Sequence, residues 1–369
     1  MAGIYIHIPF CRQKCTYCDF TSFPDRLGYA EAYMACVYKE MELRKEELKD
    51  VEFDTVYFGG GTPSVIDPKY ILGAMNQIRK CFRLKKGAEV TIEMNPGTVD
   101  EKKIEIYRKA GINRYSVGLQ TAIDSQLADL NRIHTARHFA HTATLLKGEN
   151  FNADVMIGLK EQTFEDIRKT IDFAVLGGAS HISLYALTAE DGTPIYTDYL
   201  NGLLPDEDTV ADFYERSRAY LEEKGFARYE ISNFCKPGRE SRHNLNYWRR
   251  GEYVGFGVSA CSFMRERRLT NTLDLDEYMK CVLSGFLPVV DAEDIDEKTA
   301  RFEYVMLHLR TREGLSLSDF SARYGDFFER YRNAYEKTKA FLSVEGDTLR
   351  VKDEYLYVQN SVVVEYMEA

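Results

Sequence analysis

Along the first 231 residues, short apolar runs rich in β-branched residues alternate with longer stretches in which apolar positions recur every three or four residues. The short runs predict strands at residues 4–8, 55–58, 89–93, 114–118, 152–156 and 181–185. Helical spacing falls between them, at residues 30–47, 68–81, 100–110, 136–149 and 164–176. A strand followed by a helix, repeated, predicts an α/β fold built on a parallel sheet with crossover helices. Six repeats favour a partial barrel over a closed eightfold one, with a seventh strand near residues 228–231 as an extension. A doubly wound sheet is the alternative.

Beyond residue 231 the pattern changes. Residues 232–263 form a connector rich in glycine and aromatic residues, followed by helical spacing at residues 275–283. Helical spacing returns at residues 298–309, 316–324 and 329–341, and two strand-like runs follow at residues 348–352 and 355–358. Helices followed by a hairpin predict a small winged-helix-like domain, whose mixed charge suits docking on a larger domain rather than DNA. The expected division is therefore 1–231, 232–296 and 297–369.

Composition narrows the function classes. The chain has 369 residues, 48 Lys and Arg against 58 Asp and Glu, and a formal charge of −10. The basic residues are scattered, which argues against nucleic acid. No apolar run approaches the ~18 residues of a membrane span and no signal-peptide pattern is present, so a cytoplasmic location is expected, with membrane association not indicated. Five of the eight cysteines (Cys36, Cys81, Cys235, Cys261 and Cys281) are far apart in the chain and do not resemble a disulfide framework.

The other three, Cys11, Cys15 and Cys18, stand within one short loop directly after the first strand. Soft thiolates select an Fe–S cluster, zinc or Cu(I). A structural zinc site needs a fourth protein ligand, and neither a CxxC nor an HxxxH follows nearby; His7 is the one local candidate. Three cysteines without a fourth ligand suit a [4Fe–4S] cluster with one open iron. Polar or backbone-exposing groups also end every strand: Gly59-Gly-Gly-Thr-Pro63, Glu93, Gly118-Leu-Gln120, Asp154, and Tyr185 to Glu190. In parallel α/β folds that rim is where ligands gather.

The CxxxCxxC spacing with the Gly-Gly-Gly-Thr-Pro motif resembles the radical S-adenosylmethionine (SAM) superfamily. Tyr5-Ile-His-Ile-Pro-Phe-Cys11, Tyr229-Glu-Ile-Ser-Asn-Phe234, Arg242-His-Asn-Leu-Asn-Tyr-Trp248 and Leu309-Arg-Thr-Arg-Glu-Gly-Leu315 narrow the likeness to its HemN/HemW branch, over nearly the whole chain. The resemblance implies a radical SAM barrel of the partial (β/α)6 type. It implies that Cys11, Cys15 and Cys18 hold the cluster and that SAM chelates its fourth iron, where one electron cleaves a C–S bond to give a 5′-deoxyadenosyl radical. Gly60, Gly61 and Thr62 match positions beside the methionine amino group, Glu93 a ribose acceptor, and Arg132 a partner for the methionine carboxylate. Tyr5, Tyr17, Gln120, Asp154, Ala186 and Cys261 match further SAM-lining positions. An electron donor such as flavodoxin or ferredoxin is implied as a partner.

Within that branch, the oxidase pattern has a fourth cysteine where this chain has Phe20, and an N-terminal arm before the cluster strand, whereas this sequence begins only a few residues before that strand. Residues 243–248 resemble the HNxxYW motif of haem chaperones, which implies haem as a further cofactor held by His243 with Tyr247 and Trp248 beside it. Cys261 stands where chaperone-like relatives often have histidine. The expected function is a haem chaperone serving haem-receiving respiratory proteins. The alternatives are a coproporphyrinogen III dehydrogenase or other radical SAM enzyme acting on a tetrapyrrole, and a structural zinc protein.

Overall fold

The computed structural model describes residues 1–367. Six strands, β1 (Ala2–Ile8), β2 (Glu52–Gly60), β3 (Arg83–Met94), β4 (Arg114–Gln120), β5 (Phe151–Ile157) and β6 (His181–Ala186), lie side by side in chain order. All five pairings between them are parallel. Sequential order leaves no point at which the winding reverses, so the doubly wound alternative is excluded and the sheet is a partial barrel. The crossovers are α1 (Ala30–Leu43), α2 (Pro68–Cys81), α3 (Glu101–Ala110), the short α4 (Asp124–Asp129) with α5 (Ala136–Leu145), and α6 (Phe164–Leu176). Local chemistry sets their ends: Asp67 accepts from the Lys69 amide ahead of Pro68, Asp100 from the Lys103 amide, and Thr163 exchanges capping bonds with Asp166.

Strand alternation divides the residues cleanly. Ile4, Ile6 and Ile8 pack into the core with Val56, Phe58, Val90, Ile92, Val117, Val155, Ile182 and Leu184 under the crossover helices. The alternate positions turn inward and are largely polar: Tyr5 and His7, Thr55 and Tyr57, Glu89 and Glu93, Arg114 and Ser116, Asn152 and Asp154, His181 and Ser183. The barrel interior is thus polar along its length, with ligand-facing groups at the carboxyl ends.

After β6 come α7 (Pro194–Leu200) and α8 (Glu207–Glu223), neither of which the apolar spacing predicted. α8 is charged nearly all round, and only Phe213, Tyr214, Ser217 and Leu221 are buried. The extension expected near residues 228–231 is a short antiparallel edge: β7 (Ala227–Arg228) pairs with β8 (Asn233–Cys235), and β8 with β6. The connector is more ordered than its glycines suggest. It holds α9 (Arg242–Trp248), then β9 (Glu252–Phe256), which joins β1 in parallel, and β10 (Cys261–Met264), β11 (Arg267–Asn271) and β12 (Val289–Asp294), which extend the sheet antiparallel. α10 (Leu275–Leu283) matches its predicted bounds.

The C-terminal part has its own apolar cluster, centred on Phe320, Phe327, Tyr331 and Leu349. It comprises α11 (Glu297–His308), β13 (Leu315–Ser316), α12 (Leu317–Tyr324), α13 (Phe327–Arg330), α14 (Arg332–Thr338), β14 (Leu342–Glu345), β15 (Thr348–Val351) and α15 (Gln359–Val363). The hairpin is one strand earlier than predicted. Gly346, in the left-handed region at φ +61°, lets β14 turn directly into β15, whereas residues 353–355 form a short 3-10 turn with Tyr355 edge-on to Phe341.

Candidate SAM and cluster site

At the carboxyl ends of the strands lies a cavity of about 460 Å³. Cys11, Cys15 and Cys18 all line it. No group of three or more His, Cys, Asp or Glu side chains is closed into a metal-binding arrangement among the described residues. The three thiols stand around one end of an open space instead.

The backbone fixes that loop. The Gly61 and Thr62 amides donate to the carbonyls of Ile8 and Phe10 at 2.9 and 2.8 Å. A Cβ on Gly61 would come within 2.8 Å of the Phe10 carbonyl and 3.1 Å of Cys11 Sγ, so only glycine allows the two loops to touch. Gly60 has φ +113° and donates its amide to Glu93 Oε2 at 3.1 Å. Thr62 Oγ1 lies 3.4 Å from Cys11 Sγ. His7 closes the other side: its Nε2 donates to the Thr21 carbonyl at 2.9 Å, and its Nδ1 accepts from Tyr5 at 2.9 Å. With both nitrogens used and its pKa lowered by burial to about 4, His7 is a neutral brace for the loop and offers no fourth ligand.

Charged groups line the same cavity. Arg132 donates through Nη1 to Cys15 Sγ and to the Tyr17 hydroxyl, both at 3.4 Å, and through Nη2 to the Gly118 carbonyl at 3.0 Å. Its Nε is buried without a partner. Glu93 accepts from Tyr57 at 2.7 Å. Desolvation raises it to about 7 despite that bond, and the negative charge of Asp154 adds to the rise. Asp154 accepts from Asn152 Nδ2 at 2.6 Å and is raised by burial to about 6, against the pull of Asn152, Ser183 and Arg132. Among the charged groups of the lining, the carboxyl groups of Glu93 and Asp154 and the Arg132 guanidinium, whose Nε is unpartnered, fit a ligand carrying both cationic and carboxylate groups. The soft thiol set beside them fits an iron–sulfur cluster.

Of the residues matched to SAM positions, Tyr17, Gly60, Gly61, Thr62, Glu93, Gln120, Arg132, Asp154 and Ala186 line this cavity. Tyr5 and Cys261 do not. Tyr5, in register with Tyr57 on the neighbouring strand, stacks on its ring and gives its hydroxyl to His7. Cys261 lies on β10, outside β9, within 3.6 Å of Thr270 Oγ1. His243, Tyr247 and Trp248 are also outside the lining. His243 is 1 % exposed, its Nδ1 is 2.7 Å from Thr55 Oγ1, and its Nε2 is 2.9 Å from the Tyr247 hydroxyl. Burial lowers its pKa to about 3. Trp248 is half-buried with the Arg310 guanidinium 6.0 Å from its ring.

The lining also includes Tyr57, Ser116 and Met156, which motif reading passed over. Strand alternation held the signal, because each lies two positions from a residue that was singled out or from a strand-end glycine. At the mouth, Phe20 is 69 % exposed and Tyr185 41 % exposed, and both line the cavity.

Comparison with known proteins agrees with this geometry. Residues 5–174 match the Radical SAM superfamily and residues 295–355 the HemN C-terminal domain. The chain is 35 % identical to the heme chaperone HemW of Mycobacterium tuberculosis over 94 % of this chain and 90 % of that protein. It is 32 % identical to the heme chaperone HemW of Escherichia coli over 88 % and 86 %, and 31 % identical to that of Bacillus subtilis over 88 % and 87 %. In fold it is similar to coproporphyrinogen III oxidase HemN from Escherichia coli, with a TM-score of 0.88 at 18 % identity, covering 100 % of this chain and 90 % of the other. A cysteine loop facing a polar barrel mouth, and likeness to these relatives from end to end, place the chain in the HemW heme chaperone family of the radical SAM superfamily.

Proposed function

We propose that this chain is a haem chaperone: it binds haem and passes it to haem-receiving proteins, respiratory ones among them, and its barrel mouth carries the cluster and SAM. The observation that carries this reading against porphyrinogen oxidation is Phe20. The oxidase pattern has a thiol there, and this chain has an apolar ring, exposed at the cavity mouth. An aromatic face suits contact with a flat macrocycle and supplies no proton or hydrogen atom.

Cys11, Cys15 and Cys18 would hold the cluster, with Gly61 keeping their loop against β2. Arg132 would pair with the methionine carboxylate, Glu93 would accept from the ribose hydroxyls, and Tyr17, Gln120, Asp154 and Ala186 would line the remainder. The cluster and SAM, when bound, supply one-electron chemistry at the C–S bonds, with flavodoxin or ferredoxin as the proposed class of donor. The residues themselves orient the ligand, exclude water from the cavity floor and set the charge that faces it. His243, Tyr247 and Trp248 are proposed haem contacts. Because both ring nitrogens of His243 are already bonded, iron would take the imidazole only by displacing Thr55 or Tyr247.

One anaerobic preparation, reconstituted with iron and sulfide, tests the reading. Haem titrated into it is expected to give a saturable Soret band, and coproporphyrinogen III with SAM and reductant is expected to remain unconverted. Robust decarboxylation, or the absence of haem binding, would overturn the chaperone reading. His243→Ala with unchanged haem spectrum and affinity would remove His243 as a contact.

A further inference from the structure

Two of the strings that identify the branch, residues 229–234 and 242–248, put no side chain into the cavity lining. Both are nevertheless tied to two of its carboxylates, Asp154 and Glu93, by unbroken chains of contact. The first chain starts at Ser241, which caps α9. Its amide donates to the Tyr229 hydroxyl at 3.2 Å, and that hydroxyl is 2.8 Å from His181 Nε2. His181 Nδ1 is 2.7 Å from Asn152 Oδ1, and Asn152 Nδ2 donates to Asp154 Oδ1 at 2.6 Å.

The proton order in this chain is fixed from both ends. A backbone N–H can only donate and an amide oxygen can only accept, so the Tyr229 oxygen accepts from Ser241, His181 Nδ1 gives its proton to Asn152 Oδ1, and Nε2 of the neutral ring is left to accept the Tyr229 proton. Asn152 Oδ1 also accepts from Ser183 at 3.1 Å. The Asn152 amide group then faces Asp154 with its NH2. Every bond points the same way, and each polarises the next. His181 is fully enclosed, and burial holds its pKa well below the ordinary value, so the imidazole stays in this neutral form.

The second chain runs through ring contacts. His243 is held by Thr55, Tyr247 and, through its backbone amide, by Glu89 Oε1 at 2.9 Å. Its ring stacks on Tyr57 with centroids 4.9 Å apart and planes 23° apart. Tyr57 donates to Glu93, which in turn receives the Gly60 amide.

We propose that α9 and the turn before it are a positioning plug for the cavity floor: Tyr229 orients Asp154 through His181 and Asn152, and His243 orients Glu93 through Tyr57. Tyr229, His181 and His243 are positioning residues in this account, since none of them faces the cavity. The inference rests on the reading of the cavity as the SAM site, and it gives the two strings a shared role.

Double-mutant cycles on SAM affinity test it, measured by equilibrium dialysis on the full, anaerobically reconstituted chain, with circular dichroism melts as the check of folding. Tyr229→Phe removes one hydroxyl and is expected to weaken SAM binding by about three- to tenfold, the scale of one buried hydrogen bond. Asp154→Asn alone is expected to weaken binding, and Tyr229→Phe added to it is expected to cost less than about twofold more. His243→Ala and Glu93→Gln are expected to behave in the same way. His181→Gln breaks the first chain one step nearer Asp154 and must show the same non-additivity, so a fold-sensitive Tyr229 variant does not shelter the proposal. Additive losses in both pairs, or Tyr229→Phe binding SAM as wild type does, overturn the inference while leaving the SAM site standing. Absence of SAM binding by the wild-type chain overturns the site and the inference with it.

Discussion

Desolvation raises the pKa of four carboxyl groups, Glu40, Glu93, Asp154 and Glu230, and so makes folding and ligand binding depend on pH. Glu230 is fully enclosed, accepts from the Ser232 amide and the Asn233 side chain, and is raised by desolvation to about 7. A carboxyl whose folded pKa lies above its unfolded value binds its proton more tightly in the folded state. Its contribution to stability is complete below the unfolded pKa near 4.5 and is lost as pH rises toward 7. Glu230→Gln, which is neutral throughout, is therefore expected to gain on wild type as pH rises from 5 to 8, by on the order of 2–4 °C in melting temperature. A difference that does not change with pH would show that Glu230 is not held protonated. Glu93 and Asp154 follow the same rule with values near 7 and 6, but a cationic ligand reverses its consequence. A sulfonium favours the ionised carboxylates, so SAM affinity is expected to tighten between pH 5.5 and 8; equilibrium dialysis across that range measures it, and flat or falling affinity would contradict it.

At the scale of elements, the cysteine loop depends on the turn that follows β2. A Cβ at position 61 would press on the Phe10 backbone and on Cys11 together, and backbone does not yield as a flexible side chain does. Gly61→Ala is therefore expected to lower the iron retained per chain after reconstitution, measured by iron assay, while leaving the melt of the metal-free protein within about 1 kcal/mol of wild type. Iron content equal to wild type would separate this turn from the site. The loop, the glycine turn and the six strands were legible in the sequence because alternation and turn chemistry are local signals. The hairpin register and α8 were harder to read. Residues 355–358 carry the stronger strand preference, yet it is residues 342–345 that pair with β15 across the Gly346 turn. The buried face of α8 has only four residues in a helix of 17, one of them Ser217, and is too narrow to stand out from its charged surface. The role of residues 229–248 was illegible for a different reason: their bonds to His181, Thr55 and Glu89 join strands far apart in the chain.

Over the whole molecule, the C-terminal part is fastened to the back of the plug. The Arg312 amide donates to the Tyr229 carbonyl at 2.9 Å, Arg250 pairs with Glu303 at 2.9 Å, and the buried Arg228 pairs with the exposed Asp353 at 3.0 Å. Arg228 Nη1 has no partner, so Asp353 is its main counter-charge. Asp353→Ala is expected to destabilise the chain by about 1–2 kcal/mol, since it leaves a guanidinium buried without its ion pair while the carboxylate itself was screened by water. A melt unchanged from wild type would mean that solvent or a neighbour satisfies Arg228. No helix among the described residues is long and apolar enough to cross a membrane.

The central claim is that three thiols and the polar strand ends form one site, in which a cluster has an open iron completed by SAM. Electron paramagnetic resonance of the reduced, anaerobically reconstituted chain, recorded with and without SAM, tests it most directly. The account predicts a [4Fe–4S] signal that shifts when SAM is added and that Cys15→Ala abolishes. A chain that takes up zinc in place of the cluster, or a cluster signal indifferent to SAM, would contradict it.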